Sequence, residues 1–181
     1  MTATGIVRRI DDLGRIVVPK EIRRVLRIKE GDPMEIFTNH EGEILLKKYS
    51  PIGELKDIAV SYAESLAQTT GELICISDRD CIVAASGPKK KEYDGKMLSK
   101  AMEDLIEKRA TVFATAEDKS FVKITADDEN EFQVQMIMTI ICNGDSIGAV
   151  ILYGKDPSKW TPETAKQLIG TAAQFLGRQM E

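Results

Sequence analysis

Seven cations gather near the start of this 181-residue chain: Arg8, Arg9, Arg15, Lys20, Arg23, Arg24 and Arg27. Guanidinium and ammonium groups at that density neutralise phosphates, so their types point to a polyanion partner. The residues with other chemistry are scattered. His40 is the sole histidine and has no Cys or His near it, so neither metal binding nor acid–base catalysis is signalled. Cys75, Cys81 and Cys142 are odd in number and contain no CxxC pair, which points to reduced thiols rather than a zinc site or a disulfide framework. No nucleophile–base pair, phosphate loop or metal-ligand cluster appears, and an enzyme is not expected.

Taken whole, the charge argues the other way. The formal net charge is −4 and the pI is near 5.3, whereas nucleic-acid binders usually carry a basic excess. The distribution resolves the conflict. Residues 1–29 hold eight basic and three acidic side chains, a balance of +5, and residues 51–181 carry −6. Opposite balances in two parts of one chain suggest two units with different partners. The most apolar run, 135–142, falls far short of a membrane span, and the charged N-terminus lacks a signal-peptide core. A cytoplasmic protein is expected.

The elements that must position the cations are short. The pattern predicts strands at 6–10 and 15–18, joined by the turn Asp11-Asp12-Leu13-Gly14, then a helix over 19–27 opened by Pro19. A hairpin follows, pairing 34–38 with 43–49 across Asn39-His40-Glu41-Gly42. On a helical wheel with Ile22 at 0°, Val25 and Leu26 fall near it. Lys20, Arg23, Arg24 and Arg27 lie opposite, between roughly 100° and 200°. A solvated face is the ordinary reading of such an arc. Against it, Lys20/Arg24 and Arg23/Arg27 are like-charge pairs four residues apart, each destabilising by a few tenths of a kcal/mol. Four short strands and one short helix also bury little core alone, so a second copy is expected to complete the unit.

The stretch TGIVRRIDDLGRIVVPKEIRRVLRI at 4–28, with LKKYSP at 46–51, resembles the DNA-binding domain of the AbrB family of bacterial transition-state regulators. The resemblance implies a swapped-hairpin β-barrel formed as a homodimer, presenting arginines to double-stranded DNA. The family's arginines fall on Arg8 of the GIVR strand, Arg15 after the turn, and Arg23 and Arg24 of the helix. Arg9, Lys20 and Arg27 are basic as well and join the candidate DNA-binding set.

Ser50-Pro51-Ile52-Gly53 interrupts the pattern, which places one domain at 1–50, a linker at 51–53 and a second domain at 54–181. The second domain reads as a helix over 54–68, strands at 72–77 and 81–86 around Asp78-Arg79-Asp80, a loop over 87–94 and a helix over 95–109. A short strand at 111–115 follows, then two long strands, 131–142 and 147–154, around Asn143-Gly144-Asp145, and a helix over 161–179. This order resembles a GAF domain, and GDSIGAVILYG at 144–154 resembles that family's last strands. The fold class expected for the whole chain is therefore α+β: a swapped-hairpin barrel followed by a GAF-like sensory domain.

The apolar stripes Leu55, Ile58, Tyr62, Leu66 and Leu168, Ala172, Phe175 are candidate oligomerisation surfaces, although such stripes are more often core faces. Used together with the N-terminal dimer they would build a homotetramer. Cys75 and Cys81 fall in apolar strands as packing residues. Lys89-Lys90-Lys91 reads as a solvated run, with an anion site as the alternative. No cofactor is implied, and the resemblance leaves open whether the GAF-like domain takes a small-molecule ligand. The function expected is a nucleoid-associated, DNA-binding transcriptional regulator of sporulation-stage genes, as in two-domain members from spore-forming bacteria. An antitoxin-type autoregulator and a redox-active GAF enzyme are the alternatives.

Overall fold

Asn143 and Gly144 take positive φ, +48° and +84°, and close the hairpin at the centre of the larger of two structural units. Asn-Gly supplies the left-handed backbone that matches the twist of the flanking strands. The computed structural model describes residues 5–129 and 132–180, and the chain divides into Met1–Tyr49 and Ser50–Glu181.

In the larger unit, β6 (Val134–Cys142) and β7 (Asp145–Gly154) pair over nine registered positions, from Val134↔Gly154 to Cys142↔Asp145. With β3 (Leu73–Ser77), β4 (Ile82–Ser86) and β5 (Thr111–Thr115) they form an antiparallel sheet ordered β4-β3-β7-β6-β5. Gly148 makes β3 and β7 compatible there, because a Cβ on it would overlap the Ser77 carbonyl. Both faces of the sheet are buried, which accounts for the nearly unbroken apolar runs of β6 and β7. One face carries Ile74, Ile76, Met136, Ile140, Val150 and Leu152 against α3 (Lys56–Thr70) and α6 (Pro162–Arg178). Thr161 and Thr164 start α6 with a reciprocal capping box, and Pro162 occupies its first turn as expected. The opposite face carries Leu73, Cys75, Ile137, Ala149, Ile151 and Tyr153, packed with Ile124, Phe132 and residues of α5 (Lys100–Glu107).

Several expectations need correction. Residues 51–53 are helical, not a linker: α2 (Pro51–Glu54) is capped by Ser50 Oγ, which accepts from Gly53 N at 3.0 Å and donates to Asp78 Oδ2 at 2.8 Å. Ile52 beneath it is fully buried, a contribution of about 2 kcal/mol. The loop expected at 87–94 contains a helical turn, α4 (Lys90–Tyr93), because Tyr93 is drawn into the core. The helix expected over 95–109 begins only at Lys100. Met97 and Leu98 are held instead in bridges to Cys81 and Thr125, and Ser99 caps the helix through Met102 N. Cys81 is half-buried rather than core, since it lies just before β4, beside Asp78.

The smaller unit contains α1 (Lys20–Val25) and the hairpin of β1 (Met34–Thr38) with β2 (Ile44–Lys48), in register from Met34↔Lys48 to Thr38↔Ile44. Asn39 organises the expected turn, its Oδ1 accepting from Glu41 N and Glu43 N. The strands expected at 6–10 and 15–18 are absent from this chain. A strand exists only through a ladder, and among the described residues neither segment forms one, the bond from Asp11 N to Arg15 O (3.1 Å) closing only the turn between them.

Candidate nucleic-acid interface

Asp11 builds the first half of the arginine surface. Its Oδ1 accepts from Leu13 N (3.0 Å) and Arg15 N (2.8 Å), and its Oδ2 from Arg15 Nε at 2.8 Å. Gly14, with φ of +75°, lets the chain reverse within that frame. The Arg15 backbone amide first, then its guanidinium, hold the Asp11 carboxyl below the usual carboxylate range. The Arg15 side chain stays 70% exposed, so the turn orients the cation without covering it.

Pro19 is the N-cap of α1 and the single buried residue among the described residues of this unit. Lys20, Arg23 and Arg24 ride on the helix and are exposed. Arg23 and Arg24 fall in its last turn, where the helix dipole favours cations. The helix is shorter than the pattern predicts because Arg27 turns left-handed, at φ +51°. Ile28 N then bonds to Arg23 O at 2.8 Å and Arg27 N to Arg24 O at 3.4 Å, a Schellman closure with arginine in the position glycine usually holds. Asp32 and Lys48 fix the exit. Their salt bridge measures 2.9 Å with the Asp32 side chain only 7% exposed, Lys29 N donates to Asp32 Oδ2, and Lys48 Nζ donates to Arg27 O. This bracket was not legible beforehand, because its members lie on different elements.

Arg8 and Arg9 precede the Asp11 turn and are exposed as well. Around all seven cations the apolar side chains are uncovered. Of seventeen exposed large hydrophobics among the described residues, thirteen belong to residues 5–49, including Val7 at 91% and Val17 at 74%. By the measure of roughly 25 cal/mol per Å² of buried apolar surface, this unit has little core of its own.

The second set of candidate residues divides. Leu66 and Ala172, expected at an oligomer surface, are core residues at 7% and 0% exposure, facing the sheet. Leu55, Ile58, Tyr62, Leu168 and Phe175 remain partly or fully exposed. Tyr62 and Phe175 stack with centroids 5.2 Å apart, beside an open groove of about 380 Å³ lined also by Asp57, Ile58, Ser61 and Ser65.

Cys75 is poorly placed for redox work. Cys75 is fully buried, and desolvation, then Asp128 and Asp94, push its thiol well above the ordinary range, the opposite of an activated thiolate. Cys142 Sγ contacts Met180 O at 3.4 Å. His40 is exposed in its turn, and no metal-binding cluster of His, Cys, Asp or Glu occurs among the described residues. Lys89 lies 4.0 Å from Glu92 at the start of α4. Among the described residues no helix is long and apolar enough to cross a membrane.

Residues 54–181 match the family described as stage V sporulation protein T C-terminal, transcription factor. The chain belongs to that family. Over its full length it is 47% identical to stage V sporulation protein T of Bacillus subtilis strain 168, covering 99% of that relative. Residues 7–54 match the antidote-toxin recognition MazE, bacterial antitoxin family. Over 51 residues, 28% of the chain, it is 55% identical to the transition state regulatory protein AbrB of the same organism, spanning 52% of that protein. The resemblance carried by the GIVR, DLGR and EIRR motifs is thus borne out. A GAF domain from an Acinetobacter phosphoenolpyruvate-protein phosphotransferase superposes with a TM-score of 0.55 at 13% identity, over 70% of this chain and 81% of that one. That likeness establishes the GAF fold of the larger unit and nothing about its ligand.

Proposed function

We propose that the chain regulates transcription of sporulation-stage genes by binding duplex DNA through the arginine surface of a dimeric N-terminal unit. Arg8, Arg15, Arg23 and Arg24 are the principal contacts, with Arg9, Lys20 and Arg27 at the margin. The carrying observation is the coincidence of seven exposed cations with an apolar surface that one chain leaves uncovered. A second copy supplies the missing ladder for 6–10 and 15–18 and doubles the cations. Phosphate contacts then position the protein, and few side chains remain to read base edges, so DNA shape contributes to site choice.

About eight phosphates neutralised per dimer give log K against log salt a slope near −7. Fluorescence anisotropy on a labelled duplex across a salt series measures it directly, and a flat titration rejects the electrostatic reading. The antitoxin reading finds support in the match over 7–54. It does not account for the two-sided core that fills Ser50–Glu181.

The larger unit serves assembly, and sensing is its further role. The partly exposed stripe of Leu55, Ile58, Tyr62, Leu168 and Phe175 joins two N-terminal dimers into a tetramer, which raises the effective concentration of each DNA-binding pair. Phe175→Asp should convert tetramers into dimers in sedimentation or native mass measurements. The melting of the larger unit should change little, because Phe175 is 39% exposed in the single chain. Persistence of the tetramer would reject this face.

A further inference from the structure

Phe121 to Asp128 runs over the Cys75 face of the sheet outside any helix or strand, with one bridge, Leu98↔Thr125. Ile124, fully buried, packs there with Cys75, Tyr93, Phe132 and Tyr153, and Phe121 stacks on Tyr153 at 5.6 Å. Besides the backbone bonds Phe121 N to Asp118 O (3.0 Å) and Asp128 N to Thr125 O (3.4 Å), side chains outside the segment tie it down. Tyr153 Oη donates to Val122 O at 2.5 Å, and Ser99 Oγ to Lys123 O at 2.6 Å, beside Ser99 N to Ile124 O at 2.7 Å. Tyr93 Oη donates to Asp128 Oδ1 at 2.9 Å, while Asp128 Oδ2 accepts from Ile124 N at 3.2 Å. Asp128 is 5% exposed and therefore joins α4 to the segment from inside the core.

We propose that Phe121–Asp128 is a lid over the aromatic face of the sheet, that it opens without unfolding the rest of the unit, and that Asp128 bonded to Tyr93 is its latch. Segments held by few regular backbone bonds open at lower free energy than ladders and helices. The opposite face has the contrary construction, with two long helices packed on it. Gln135 adds a bias toward opening. Its Nε2 donates to Ser120 O at 3.2 Å just before the lid, but its Oε1 is buried with no partner among the described residues. Water reaching that oxygen relieves the cost of leaving it unpaired. The purpose of the lid, admission of a ligand to the interior, rests on the reading of this unit as a sensor. The latch itself does not.

The native thiols report on the two faces separately. Cys75 lies under the lid at 0% exposure, and Cys142 is buried with the residues of the other face at 9%. Full-length protein carrying Tyr93→Phe loses the latch hydroxyl yet keeps the Asp128 charge beside Cys75. Timed alkylation with iodoacetamide and peptide mass spectrometry should then show Cys75 reacting about tenfold faster than in the parent, with Cys142 unchanged. Asp128→Asn, which places an amide donor against a donor, should act in the same direction. Hydrogen exchange at 121–128 should quicken in both variants. Parallel acceleration of Cys75 and Cys142 would mean general loosening and would overturn the lid. So would an unchanged Cys75 rate in a folded Tyr93→Phe protein. No ligand enters the test, so its failure is separable from failure of the sensor reading, which would appear as no metabolite-induced shift in melting.

Discussion

Replacing Arg23 and Arg24 together by alanine is expected to remove most duplex-DNA binding while leaving the chain folded. In a dimer the change deletes four cations, so the slope of log K against log salt should shrink from about −7 to about −3.5, and affinity near physiological salt should fall by two orders of magnitude or more. The folded state has little to lose. Both side chains are exposed, and alanine is the better helix former by a few tenths of a kcal/mol. Relief of the like-charge pair of Arg24 with Lys20 partly offsets the lost dipole interaction at the end of α1. Anisotropy titrations at several salt concentrations, beside a thermal melt, separate the two effects. Undiminished binding would remove α1 from the interface.

Ile36→Asp tests the dimer with an effect of comparable size. Register places Ile36 opposite Leu46, and Ile44 opposite Thr38, on one side of the β1–β2 hairpin. Ile36, Ile44 and Leu46 are exposed at 69%, 60% and 46%. In an isolated chain an aspartate at so open a position costs at most about 0.5 kcal/mol. Inside a dimer core it would bury an unpaired carboxylate, at several kcal/mol, enough to unfold a small unit. The expected outcome is loss of the N-terminal dimer and of DNA binding, while the larger unit, whose core residues run from Ile52 to Leu176, keeps its own melting transition. A dimeric, DNA-binding Ile36→Asp protein would show that this side of the hairpin faces solvent.

How much was legible beforehand differs between the two units for a physical reason. In the larger unit the signals were local. Asn143-Gly144 forces a tight hairpin, Thr161-Pro162 starts a helix, and nearly unbroken apolar runs mark buried strands, so the paired strands and long helices fell close to their expected positions. The misses arose where distant residues compete for a segment. Residues 96–98 left the expected helix for bridges to Cys81 and Thr125. Residues 51–53 became helical because Asp78, far along the chain, accepts the Ser50 hydroxyl. Leu66 and Ala172 satisfied an amphipathic pattern equally well as surface or core, and only packing against the sheet decided for core.

For the candidate interface, the sequence alone determined the composition of the surface: which cations it holds, the glycine that permits the Asp11 turn, and the motifs that place the chain in its family. Charge and backbone propensity are properties of single residues and their near neighbours, so they can be read in order along the chain. The tertiary structure decided what holds those residues in place. Asp32 with Lys48 closes the exit of α1, Asp11 aims Arg15, and Asp128 with Tyr93 ties down the segment over the second unit's interior. Of these, the Asp32–Lys48 and Asp128–Tyr93 pairs join residues well separated in the chain. Each exchanges hydration for one partner at one geometry, and no periodicity or composition encodes which partner that will be.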